Sequence, residues 1–184
     1  MRHEEDTFRA YKLGPEAKSD PVLAQELYGR YVAEWTTTAG PPAEWADYLV
    51  VAPHAFWGWA EFHRITMADG MNEPRVKAGV VMYLAALEGH QTWAIHVAGR
   101  PALYDLTVEE ITALGACDIS GFDGEMHAVL RYVEEMTYSS GVGEEAIRGV
   151  RAVLSPGQLV ELGMFAGLHL ASIRIDIARR SSAH

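Results

Sequence analysis

The spacing of apolar residues along the chain is that of α-helices. Val22, Leu27 and Tyr31 recur at helical intervals, so we predict a helix over residues 21–35. The aromatic-rich segment 54–67 predicts another helix. No two alternating apolar runs flank a tight glycine turn, which a β-hairpin would require. The pattern therefore predicts an all-α bundle of about seven to nine helices.

Capping residues mark the expected helix boundaries. Thr107 with Glu110, and Ser155 with Gln158, have the spacing of a capping box, in which two residues close the first turn of a helix reciprocally. Asp123 has the form of a single N-cap. The remaining predicted helices cover residues 42–51, 74–88, 90–99, 107–114, 123–136, 144–153 and 156–178. Of these, 74–88 is so apolar that we expect it to be buried on most sides.

Length and composition favour one globular domain. The chain has 184 residues, of which 49% are apolar and 22% charged, so it can bury a core without disulfides or metals. We predict a single domain over residues 21–180. Residues 1–20 have no sustained apolar period and are expected to form an N-terminal arm. Cys117 is the only cysteine, which excludes an internal disulfide, a CxxC redox pair and a cysteine-rich zinc site.

The charge of the chain argues against two classes of partner. Fifteen basic and 25 acidic residues give a net charge of -10, the opposite of what a duplex-binding protein shows. Attraction to an anionic membrane would be weak. The apolar runs are far shorter than the roughly 20 residues that span a bilayer, and the first residues lack the apolar core of a secretory signal. We expect a cytoplasmic protein that binds neither nucleic acid nor membrane.

The densest group of candidate chemical residues follows the apolar segment 74–88. Thr92 and His96 are four residues apart, so they share one face of a helix over 90–99. We place Gly89 one turn earlier on that face, where it would let a backbone or ligand approach closely. Histidine suits proton transfer because its ordinary pKa is about 6.5. His90 lies off this face, and both histidines could instead be core residues with satisfied hydrogen bonds.

Other site classes find less support. Trp57 lies in an aromatic-rich helix that could form an apolar pocket wall or simply pack in the core. The sequence contains neither an HExxH motif nor a Glu-x-x-His pair, so we predict no metal site. It also lacks the GxSxG and phosphate-loop motifs.

Six segments in order resemble the carboxymuconolactone decarboxylase family, which includes the alkylhydroperoxidase D-like proteins. The segments, which lie between His54 and Ala178, are PHAFWGWAEF, PRVKAGVVMYLAAL, GHQTWAIHV, DLTVEEITAL, EMHAVLRYVEEM and SPGQLVELGMFAGLHLASIRI. The resemblance implies an alkylhydroperoxidase D-like helical bundle. It also implies a homo-oligomer, a trimer or a hexamer, which is consistent with the apolar character of residues 74–88 and 156–178.

The chain departs from the family at the active-site segment. Gly89 and Thr92 stand where the peroxidase branch has its two cysteines, and Lys77 stands where that branch has a glutamate. Thiol-peroxidase chemistry therefore does not carry over. The family histidine is retained as His96, and His169 occupies a position where many members have tyrosine.

The resemblance therefore implies the decarboxylase-like branch, with lyase or isomerase chemistry and no cofactor. His96 would be the general acid or base, with Thr92 and His90 as further catalytic candidates. The substrate would be a small carbonyl or carboxylate compound of a biosynthetic or aromatic-catabolic pathway. The expected substrate-binding residues are Trp93, Glu88, Lys77, Arg75, Trp57 and His169. The alternative is a non-catalytic relative that binds a small molecule or serves as a scaffold.

Overall fold

The predicted all-α class is confirmed throughout the part of the chain that the structure describes. The computed structural model describes Val22 and residues 52–68, 70–99 and 104–181, and no strand occurs among them. Seven helices are defined in these ranges. They are α1 Pro53–Ala68, α2 Pro74–Leu87, α3 Gln91–Ala98, α4 Val108–Gly115, α5 Gly124–Tyr138, α6 Glu144–Val153 and α7 Pro156–Ser181. The predicted arm over 1–20 and the predicted helices over 21–35 and 42–51 lie outside the described residues, apart from Val22.

The predicted capping residues form the expected hydrogen bonds. At the start of α4, Glu110 N donates to Thr107 Oγ1 at 3.1 Å and Thr107 N donates to Glu110 Oε2 at 2.9 Å. Ser155 and Gln158 make the same reciprocal pair before α7, at 3.3 and 3.0 Å. Asp123 accepts from the backbone of α5 at 2.9 Å. These bonds satisfy amide groups that the first turn of a helix leaves without partners.

Residues cluster into two compact units, Met1–Ile65 and Thr66–His184. The described part of the first unit is most of α1. There Trp59 stacks on His63, with ring centroids 4.8 Å apart and planes inclined by 14°. Phe56 and Ala60 are fully buried. The aromatic-rich helix therefore exists, but the side chain of Trp57 lies outside the described part of the structure.

The second unit is built around α2. Its residues from Val76 to Ala85 are all buried, and α2 contacts α3, α4, α5 and α7. The apolar side chains that these helices bury include Trp93, Leu114, Leu130 and Phe165. The prediction of a buried helix over 74–88 is thus confirmed. Because helices of the same chain cover α2, its apolar character gives no argument for a second subunit.

The end of α2 fixes where α3 begins. Gly89 has a φ of +67°, while the amides of Gly89 and His90 donate to the carbonyls of Ala86 and Ala85. This is the Schellman arrangement, which favours glycine in the left-handed conformation. Cys117 occupies the same position after α4, with a φ of +56°. Its amide and that of Asp118 donate back into α4 in the same way.

The last helix, α7, is 26 residues long and has two different faces. Its inner face buries Leu162, Phe165, His169, Ile173 and Asp176. Its opposite face exposes large apolar side chains. No described helix combines the length and apolar character needed to cross a membrane.

Candidate functional site

His90 does not lie within a helix, as the sequence suggested, but caps the start of α3. Its Nδ1 accepts a hydrogen bond from Trp93 N at 3.5 Å. Because Nδ1 is the acceptor, the proton lies on Nε2, which donates to Asp176 Oδ2 at 2.8 Å. Both His90 and Asp176 are buried, with 5% and 1% of their surface exposed. The ring therefore joins the start of α3 to the C-terminal part of α7.

Asp176 holds this end of α7 together, and sequence reasoning missed it. Its Oδ1 accepts from Arg179 Nε at 2.9 Å and Nη2 at 2.6 Å, and its Oδ2 accepts from Arg180 Nε at 3.1 Å. Burial alone would raise the pKa of Asp176. Hydrogen bonds from Arg179 and His90, together with the charges of Arg180 and Arg179, outweigh burial and hold the pKa below its ordinary value. The three- and four-residue spacing to the arginines was a usable signal.

Glu88 lies beside this network and is already occupied by donors. Its Oε1 accepts from Arg174 Nη2 at 2.8 Å and Nε at 3.1 Å, and from Tyr138 Oη at 3.4 Å. Burial and the negative charge of Glu88 raise the pKa of the Tyr138 hydroxyl. Glu88 thus serves as an acceptor that ties α2 to α5 and α7. Its predicted role in substrate binding remains a prediction.

Thr92 and His96 both lie on α3, four residues apart, and both side chains are half-buried. The shared face expected from their spacing is therefore present. Gly89 is not part of that face, because it lies in the turn before α3. A Cβ at Gly89 would meet no atom of the described chain within 4 Å. The predicted place of Gly89 on that face was therefore wrong, and its left-handed backbone is the feature that favours glycine here. The predicted close approach of a ligand at Gly89 remains a prediction.

Trp93 and His169 form a buried wall behind α3. Their rings meet edge to face, with centroids 5.8 Å apart. His169 Nδ1 donates to the carbonyl of Phe165 at 2.9 Å. Burial lowers the pKa of His169 to about 4, so this ring is neutral at pH 7. The structure thus brings two of the predicted residues together, inside the protein.

Arg75 and Lys77 lie at the opposite end of α2 from His90. Lys77 precedes Leu87 by ten positions, which corresponds to about 15 Å along the axis of α2. Lys77 is 2% exposed; its Nζ donates to the carbonyl of Thr66 and lies 3.8 Å from Glu161 Oε1. Arg75 pairs with Glu110 and Asp123. Both cations therefore already have partners among the described residues, and their predicted role in substrate binding remains a prediction.

Neither a metal-binding cluster in the described residues nor a similar known protein adds to this description of the site. Among the described residues, no group of three or more histidine, cysteine, aspartate or glutamate side chains is placed to hold a metal ion. Comparison of the chain with protein-family models, curated proteins and solved structures found no match to any of them.

Proposed function

We propose that the protein is a cofactor-independent enzyme that transfers protons on a small carbonyl or carboxylate substrate. The observation that carries this proposal is the pair of half-buried polar side chains, Thr92 and His96, on one face of α3. The start of that helix is fixed by the buried His90–Asp176 hydrogen bond. A base held on a rigid element, and only partly buried so that a substrate can reach it, suits general acid–base catalysis.

His96 is the proton-transfer residue in this proposal. It lies in the last turn of α3 and is half-buried. The Thr92 hydroxyl, one turn earlier, would donate to the oxygen of an enolate-like intermediate. Decarboxylation, isomerisation, dehydration and cyclisation all pass through such an intermediate. The resemblance to carboxymuconolactone decarboxylase-like proteins supports the same class of lyase or isomerase.

His90 has a positioning role in this proposal, although the sequence suggested a catalytic one. One ring nitrogen accepts from the backbone of α3 and the other donates to Asp176. A ring engaged at both nitrogens is a poor proton shuttle, because transfer would first break one of these bonds. Trp93 and His169 are likewise buried, so they would shape the site from behind.

The second candidate is a non-catalytic protein that binds small molecules or acts as a scaffold. One observation favours it. The cations expected to hold a substrate carboxylate, Arg75 and Lys77, are engaged by Glu110, Asp123 and Glu161 at the far end of α2. Cations already paired with carboxylates would attract a substrate carboxylate less strongly.

Proton exchange in D₂O separates the two candidates. The protein is incubated with a panel of 3-oxo acids and unsaturated lactone carboxylates, and NMR follows deuterium uptake next to the carbonyl. We expect wild-type exchange with at least one compound, and a loss of about 10²–10⁴-fold in His96→Gln. His127→Gln is the matched control, because His127 is a half-buried histidine on α5, and it should keep its rate. Full exchange in His96→Gln would refute the role of His96. Binding of a panel compound without any exchange would favour the second candidate.

A further inference from the structure

One face of α7 exposes apolar side chains that no other part of the described chain covers. Val160, Met164 and Ile175 are 64%, 57% and 46% exposed, and Gly167 and Ala171 between them are exposed as well. We call these five residues the outer face of α7. Their steps of three and four residues are those of a helix that packs along another helix. Exposed apolar surface of this extent is typical of an interaction site.

Gly167 lies at the centre of the outer face, and no contact within the described part of the chain explains a glycine there. Glycine weakens the interior of a helix relative to alanine. A Cβ at Gly167 would meet no atom of the described chain within 4 Å, so nothing in that part of the fold demands its absence. A glycine here lets the backbone of a second helix approach closely. The centre of the outer face is therefore shaped for a helix that comes from outside the unit.

The charges at the two ends of α7 indicate the direction of that second helix. Near its N-terminus are Glu161 and Glu73, the latter in the turn whose amides bind Glu161. Among the described residues, the positive charge of Lys77, whose Nζ lies 3.8 Å from Glu161 Oε1, offsets only one of these two negative charges. Near the C-terminus, the three guanidinium groups of Arg174, Arg179 and Arg180 surround the two carboxylates of Glu88 and Asp176. One end is net acidic and the other net basic, so an antiparallel partner with the same sequence is complementary.

We propose that the outer face of α7 binds the same face of a second copy of this chain, antiparallel about a two-fold axis. The axis passes near residue 169. Gly167 then lies beside the partner's Ala171, Met164 beside the partner's Ile175, and Val160 beside the partner's Ala178. Val160 thus meets a smaller residue, and Ile175 meets the flexible side chain of a methionine. Residues 162–173 hold no charged side chain, so two chains of net charge -10 meet where repulsion is least.

This interface is independent of the acid–base proposal. A two-fold contact produces a dimer, or a hexamer when combined with a three-fold axis, but it is not the contact of a cyclic trimer. It thus narrows the oligomers that the family resemblance implies. His96→Gln should leave the association unchanged, so failure of either proposal is recognisable without the other.

Gly167→Leu tests the interface directly. The leucine meets no atom of residues 52–68, 70–99 or 104–181 near its Cβ, so folding should be kept, but the leucine blocks the approach of a second helix. In sedimentation equilibrium from about 1 to about 100 µM, we expect wild type to dimerise or form a larger even-numbered oligomer. Gly167→Leu should raise the dissociation constant at least about 30-fold, since overpacking acts twice across a two-fold axis. Ala152→Leu is the control: Ala152 is exposed on α6, and its replacement should not change association.

Cysteine cross-linking tests the direction. In a Cys117→Ser background, Val160→Cys and Ala178→Cys chains are prepared separately and then mixed and oxidised. An antiparallel pair joins residue 160 to residue 178, whereas two copies of residue 160 lie about 27 Å apart. We expect disulfides mainly in the mixture. Cross-links within each separate sample would overturn the antiparallel arrangement.

A wild-type monomer at all concentrations, or an oligomer that Gly167→Leu leaves intact, would overturn the interface. A monomeric wild type that Gly167→Leu unfolds would assign the face to the first 51 residues of the same chain and would also overturn the proposal.

Discussion

Replacing Asp176 with alanine should destabilise the protein strongly although no active-site atom is removed. The carboxylate is 1% exposed and accepts hydrogen bonds from His90, Arg179 and Arg180. Removing one member of a fully buried charged pair costs about 3–5 kcal/mol. Here the side chains of Arg179 and Arg180 are 31% and 40% exposed, so they can turn to water. The group left stranded is His90 Nε2–H, and we expect a loss of about 2–3 kcal/mol of unfolding free energy.

Urea unfolding followed by tryptophan fluorescence measures this loss. Arg174→Gln is the control on the same helix. The side chain of Arg174 is half exposed, and Glu88 keeps its hydrogen bond from Tyr138, so the loss of this ion pair should cost less than about 1 kcal/mol. A double-mutant cycle with His90→Ala should give a coupling energy of about 1–2 kcal/mol between His90 and Asp176. Purely additive effects of the two replacements, or an Asp176→Ala variant as stable as Arg174→Gln, would show that the buried bond does not join α3 to α7.

Four further outcomes are expected. The pKa of Asp176 is lower in the folded protein than its ordinary value, so its carboxylate stabilises the fold at any pH above that ordinary value. This stabilisation should fade as the pH falls through the folded-state pKa, and urea titrations of Asp176→Asn should not show this pH dependence. The pKa of His169 also lies below its ordinary value, at about 4. The unfolded chain therefore takes up a proton at this residue before the folded protein does, and the unfolding free energy should fall by at most about 3 kcal/mol between about pH 6.5 and 4. His169→Gln should abolish this slope. Gly89→Ala should lower the unfolding free energy by about 1 kcal/mol and Cys117→Gly should raise it by about 0.5 kcal/mol, because both residues have a positive φ; equal effects of the same sign would refute the backbone argument. Cys117→Ser should leave activity unchanged, and dithiol-coupled peroxide turnover that disappears in this variant would contradict the exclusion of thiol-peroxidase chemistry.

Local patterns in the sequence were sufficient for most of the described fold. The capping boxes at Thr107 and Ser155 act over three residues, and the burial of α2 follows from its own composition. The periodicity that places Thr92 and His96 on one face is equally local.

The partners within the site could not be predicted in the same way. His90 and Asp176 are 86 residues apart in the chain, and nothing in the sequence near His90 indicates an acid at the far end of α7. The place of Gly89 was predicted wrongly because the sequence does not show that the backbone turns to a positive φ between α2 and α3. The partners of Lys77, the Thr66 carbonyl and Glu161, are likewise distant in the sequence, 11 and 84 residues away, so no local pattern indicates them.

The central position of α2 has a consequence for the order in which the second unit is completed during synthesis. The segments that cover α2 on two sides, α5 and α7, are translated after it. Until α7 leaves the ribosome, the nascent chain carries an apolar helix that lacks part of its covering, as well as a His90 ring without its acceptor. Domains complete their packing only when all contacting elements are available. A chain arrested after Ser155 should therefore bind chaperones and aggregate, whereas a chain released after Ser181 should not.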